Sequence, residues 1–230
     1  MRIIEKYRFM KHSEKELLAL KEEVGQMWKL VMSQLQKAQI SFFTGDLDLA
    51  QEIVKREKLV NSFELKVDYN TENYIALYSP VAVDLRLVLS LIKISSMLER
   101  IGDYAAGIAR HVLDGDCNEL DTKLVADLKI EQIFDIVTIM LSDSFVALES
   151  ENTKMAKRIL SKDEEVNISY RNSLNLLTGH LEKHPQQIYC GLKILLLIRK
   201  LERIGDQCSN IIEEIVFYVD AKVLKHKETN

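Results

Sequence analysis

Leu98-Glu99-Arg100-Ile101-Gly102-Asp103 and Leu201-Glu202-Arg203-Ile204-Gly205-Asp206 are one hexapeptide written twice, 103 residues apart. Each copy sets two carboxylates at i and i+4. On a helix these share a face, roughly 5–6 Å apart at Cβ. Carboxylates held that close repel unless a cation or a counter-charge lies between them. The repeat therefore reads as a metal-binding device built twice on a duplicated helical scaffold.

Working outward from the second copy, Ile194, Ile198, Leu201, Gly205, Cys208, Ile212, Ile215 and Val219 step by four and three, the spacing of a bundle seam. The first copy lies in an equivalent seam of Val88, Leu91, Ser95, Leu98, Gly102, Ala105, Ala109 and Val112. Glycine weakens a helix, so its place in both seams points to a close-approaching neighbour. Beside the seams run Ser96, Glu99, Asp103 and Arg110 in one copy, and Arg199, Glu202, Asp206, Ser209 and Glu213 in the other.

The rest of the chain supplies the neighbours. Ser13-x-x-Glu16 reads as a capping box opening a helix that runs to about Phe43 along Leu17, Leu20, Val24, Met27, Val31, Leu35 and Ile40. Asp46 caps a second helix, to about Tyr78, and Ser79-Pro80 starts a third, to about Leu113. A fourth helix is expected over about Glu119–Leu148, a fifth over about Thr153–Lys183, and a sixth from His184-Pro185 to about Lys225. The expectation is an all-α protein of six long helices in two tandem, pseudo-symmetric, antiparallel three-helix bundles, residues 1–116 and 117–230. Glu57-x-x-Val60-Asn61 in the second helix matches Asp163-x-x-Val166-Asn167 in the fifth. The candidate metal residues are thus Glu57, Asn61, Glu99 and Asp103 in the first repeat, and Asp163, Asn167, Glu202 and Asp206 in the second. Oxygen donors without thiolate suit magnesium, manganese, calcium or iron. The competing reading of such a stripe is a solvated, ion-paired helix face.

Composition narrows the function. Among 230 residues, 8 Gly and 2 Pro against 47% apolar residues favour long helices over turns. A net charge of −4 excludes the basic excess of a general nucleic-acid binder. Cys117, Cys190 and Cys208 fit no zinc or redox spacing, and a reducing cytoplasm suits them. No signal-type run opens the chain, and no apolar stretch is long enough to insert in a membrane. None of the five histidines lies three residues after a glutamate, so the Glu-x-x-His element of di-iron bundles is missing, and no phosphate loop or nucleophile motif occurs. A non-enzymatic protein is expected. A metal-dependent hydrolase or oxidase in a bundle, and a metal-free structural adaptor, are the alternatives.

The doubled motif, with Pro80-x-x-x-Asp84-Leu85-Arg86, Arg199, Asn210, Glu213 and the two acidic-x-x-Val-Asn segments, resembles the PhoU family of phosphate-signalling regulators. The resemblance spans roughly Gln34–Tyr218. It implies two three-helix bundles, often a homodimer, and metal ions on the acidic motifs, including multinuclear iron clusters in some members. It also implies negative regulation of the phosphate-starvation response through a phosphate ABC transporter ATPase and a membrane sensor histidine kinase, or, in some relatives, partnership with a sodium–phosphate symporter. The sequence departs from the pattern at Glu57, at Met97, and at Gly107 and Arg110, where the second repeat has Asn210 and Glu213. These departures point to a first-repeat site that holds fewer metals or binds them more weakly.

Overall fold

The structure is a computed structural model that describes residues 2–115 and 122–224, with side chains from residue 11 onward apart from that of residue 122. Cys117, the domain boundary drawn after residue 116 and the tail from Lys227 lie outside the described residues. The architecture is all-α: α1 (Arg2–Thr44), α2 (Leu47–Tyr78), α3 (Ala82–Asp114), a short α4 (Thr122–Asp127), α5 (Ile130–Ser150), α6 (Ala156–Leu181) and α7 (Ile188–Asp220). One-turn 3₁₀ segments, Thr153–Met155 and Pro185–Gln187, lead into α6 and α7.

Several ends follow the sequence signals and others do not. Asp46 caps α2 as expected, its carboxylate accepting from the Leu49 N–H at 2.9 Å. Ser13 does not open α1. It lies inside that helix, and its hydroxyl meets the Tyr74 phenol at 2.9 Å. Ser79 closes α2 instead of opening α3: its φ is 46°, and its N–H donates to the Ile75 carbonyl at 3.0 Å. The following proline bars Ser79 from the right-handed helical region, which ends one helix before the next begins at Ala82. The expected fourth helix is broken at Lys129, which sits at φ 52°. Burial of Leu124, Leu128 and Ile130 on either side offsets that strained residue, and apolar spacing alone does not reveal the break. In α1 the core stripe passes through Ala38, and Ile40 is exposed.

Helices α1–α3 form one antiparallel bundle and α5–α7 a second. They join through two further antiparallel contacts, α1 against α5 and α3 against α7. Trp28 of α1 is fully buried and donates its indole N–H to the Leu141 carbonyl of α5 at 3.2 Å. Along the other contact, the Arg86 Nε–H donates to the Tyr218 carbonyl (3.2 Å), Ser90 to the Glu214 carbonyl (3.2 Å), and Lys93 pairs with the Glu214 carboxylate at 2.9 Å. At its far end Lys193 pairs with Asp114 at 3.4 Å. As numbering rises along α3 it falls along α7, so the two hexapeptides run past each other in opposite directions near the middle of the contact. A single apolar core runs through both bundles and includes Val24, Leu35, Leu91, Leu98, Phe134, Ile198 and Ile212.

Candidate functional site

Glycine sets the spacing of each acidic joint. A Cβ on Gly102 would stand 3.2 Å from Val60 Cγ1, and one on Gly205 would stand 2.9 Å from Asp163 Oδ1 and 3.7 Å from Val166 Cγ1. The seam glycines thus receive the valine, and in the second repeat also the acid, of the Val-Asn segments across the helix pair. That approach carries the acids of α2 toward those of α3, and those of α6 toward those of α7.

In the first repeat Asp103 lies within hydrogen-bonding reach of both Glu57 and Glu99. The sequence reading missed Glu64, which stands two turns beyond Glu57 on α2 and accepts from the Ser96 hydroxyl. Burial, then Asp103 and Glu64, push the Glu99 carboxyl up to about 7 against the pull of Arg100. Glu57 is also raised, by burial and Asp103, although Arg110 pairs with it. Glu64 is raised by burial, Asp68 and Asp103. Four carboxylates therefore crowd one helix pair, and the available cations do not cancel them. Asn61 is exposed on α2, and its side chain makes no hydrogen bond among the described residues.

The second repeat is balanced differently. Glu202 is only 7% exposed, and Arg199 donates to its Oε1 at 2.6 Å. Arg203 lies 3.8 Å from its Oε2 and donates to Asp206 at 3.0 Å. The Arg199 guanidinium also stacks over Tyr170, 5.0 Å from the ring centre. Burial first, then Asp206, raise the Glu202 carboxyl, while both arginines lower it. Asp163 is buried against Gly205, and Asn167 is half-buried on α6. Two substitutions make the difference. Arg199 stands at the repeat position of Ser96, and Tyr170 at that of Glu64. The second repeat loses an acid and gains a cation. The gained cation was visible in the sequence, where Arg199 stands in place of Ser96.

Among the described residues, no group of three or more histidine, cysteine, aspartate or glutamate side chains converges tightly enough to hold a metal ion. The arginines explain this for Glu57, Glu202 and Asp206, whose oxygens turn toward guanidinium groups. In donor chemistry the first repeat fits a hard cation, since it offers oxygens alone and their mutual repulsion is what a cation relieves.

Two antiparallel three-helix bundles, docked through α3 and α7 and each carrying an acidic joint on a glycine seam, define a duplicated helical protein whose distinctive chemistry is held between helices. The family model described as the PhoU domain matches residues 24–112 and 130–215, and the chain belongs to the PhoU family. It is 34% identical over 211 residues to the phosphate-specific transport system accessory protein PhoU of Edwardsiella tarda, covering 92% of this chain and 86% of that one. It is 30% identical to the homologue of Aquifex aeolicus (strain VF5), covering 93% and 95%. The crystal structure of the phosphate transport system regulatory protein PhoU from Streptococcus pneumoniae superposes with a TM-score of 0.83 at 28% identity, covering 93% of this chain and 99% of that one. That of PhoU from Pseudomonas aeruginosa gives 0.84 at 27%, covering 91% and 99%.

Proposed function

We propose that the chain is a non-enzymatic, cytoplasmic regulatory accessory protein of a phosphate transport system, acting by binding and adjusting its grip on partners through cation-bridged acidic joints. The observation that carries the reading is the extent of the likeness: a relative named as a transport accessory protein aligns over 92% of the chain. The helices offer rigid faces for a partner. Among the described residues, no helix is long and apolar enough to cross a membrane, so contact with a transporter is made from outside the bilayer core. The partners fitting this reading are the importer's ATPase subunit and a sensor kinase, or a symporter, engaged by a homodimer.

Metal belongs to the reading as a ligand of the first repeat. Glu57, Glu64, Glu99 and Asp103 would hold Mn²⁺, Mg²⁺ or iron, which would supply positive charge bridging α2 and α3. Arg199 and Arg203 already stand in for such a cation beside Glu202 and Asp206, so the second repeat binds more weakly. This inverts the order suggested by the sequence departures, because Glu64 adds an acid that they did not include. At Mn²⁺ near 100 times its dissociation constant, binding adds about 2.7 kcal/mol of stability, a rise in Tm of about 5–10 °C for a chain of this size. The pair Glu99→Gln with Asp103→Asn abolishes the rise, and Glu202→Gln with Asp206→Asn leaves most of it. If metal added to chelator-treated protein shifts neither the Tm nor the elemental content, the cation part of the reading fails. The metal-free adaptor, favoured by the arginine pairs already in place, then stands.

A further inference from the structure

The contact between α3 and α7 is nearly symmetric, and Lys200 is where the symmetry fails. Its stem lies in the notch left by Gly107, whose Cβ would stand 2.8 Å from Lys200 Cε. By the repeat step of 103 residues, the equivalent places are held by Met97 and Asn210, and Arg110 answers to Glu213. Three departures between the copies therefore meet at one point. All act in the same direction, adding positive charge or clearing space for it.

Lys200 is half-buried and takes part in no hydrogen bond or ion pair among the described residues. Arg110, one turn beyond Gly107 on α3, is the charged neighbour that acts on it, and among the described residues no carboxylate does. His111, half-buried on α3, is lowered by burial and by both Lys193 and Lys200. Lys193 pairs with Asp114 and Arg110 with Glu57, which leaves the Lys200 charge without a counter-ion among the described residues. A half-buried cation is costly without an anion, and a lysine beside an arginine fork is the donor set that takes a tetrahedral oxyanion.

We propose that the α3–α7 contact at Gly107 binds a small phosphoryl oxyanion, held by Lys200 and Arg110 with His111 and Lys193 at its rim. The anion completes the charge pairing of the α3–α7 contact and so fixes the two bundles on each other. The site needs no metal, and chelator-treated protein tests it apart from the cation reading. Titration of the full-length protein with inorganic phosphate at low ionic strength gives saturable binding that sulfate competes away. Lys200→Met, which copies the other repeat, weakens binding by about tenfold or more, the loss of one charge-assisted contact. Lys200→Arg keeps binding, and Lys66→Gln, on the far side of α2, leaves it unchanged. AMP and inorganic phosphate titrated side by side identify the source, since saturable binding of either at Lys200 supports the site. Absence of saturable binding to the wild type, or binding equal in Lys200→Met and wild type, overturns the proposal. So does an acid of segment 116–121 found paired with Lys200.

Discussion

At Gly205 a single methyl group meets a buried carboxylate. Gly205→Ala puts its Cβ 2.9 Å from Asp163 Oδ1, and Asp163 is buried on a short side chain with little room to retreat. Overpacking costs about 1–3 kcal/mol, against roughly 1 kcal/mol gained in helix propensity. Urea unfolding should therefore show a net loss of up to about 2 kcal/mol, with an unchanged m-value. At Glu99 the effect has the opposite sign. Its carboxyl is raised to about 7 in the folded chain, from an ordinary value of 4.5. The folded state thus binds that proton more tightly than the unfolded state, and metal-free stability falls as pH rises from about 4.5 through 7. Glu99→Gln should raise the melting temperature at pH 8 in chelator, and the gain should vanish near pH 4.5. These residues also mark what the sequence could reveal. The doubled hexapeptide located Glu99, Asp103, Glu202 and Asp206 because repetition is visible in one dimension. Glu64 was invisible, since it has no partner in the second copy. The pairing of Arg199 with Glu202 rather than solvent depends on rotamers that no spacing encodes.

At the scale of elements, the six long helices and their seams were legible because buried residues recur every three or four positions, and most of the expected seam is buried. The break at Ser79-Pro80 was legible as well, though not its geometry: the proline makes Ser79 the left-handed end of α2, where a cap opening α3 was expected. The break at Lys129 was not legible, because it is a left-handed residue of ordinary type held in place by the burial of its neighbours. The joint between bundles was hidden too. Tyr218 of α7 donates its phenol to Glu151 Oε1 at 2.9 Å, and Lys21 of α1 reaches the same oxygen at 3.2 Å. Three segments far apart in sequence close one end of the molecule. The Tyr218 hydrogen bond, helped by Lys21, holds the Glu151 carboxyl below its ordinary value. A lowered acid contributes stability above its unfolded value, lost as pH falls through the folded one. Glu151 is half exposed and keeps Lys21, so Tyr218→Phe should cost about 0.5–1.5 kcal/mol at pH 7, the net worth of an ordinary hydrogen bond. That cost should shrink in unfolding measurements below about pH 4.

For the molecule as a whole, duplication explains both the fold and its asymmetry. Two similar bundles meet through α3 and α7, which run in opposite directions, so the two hexapeptides lie beside one another. Around that meeting the copies have diverged in charge. The first keeps four crowded acids, the second answers its acids with arginine, and Lys200 faces the notch at Gly107. Family membership and an all-α fold follow from features spread along the chain, which is why the sequence already carried them. The partner is set by surfaces whose shape only the packed bundles create. The most direct measurement is deletion of the gene in its own organism, followed by transcription of phosphate-uptake genes in phosphate-rich medium. The account predicts that these genes are switched on despite abundant phosphate, and that the wild-type gene returned on a plasmid silences them. Unchanged expression in the deletion strain would contradict it.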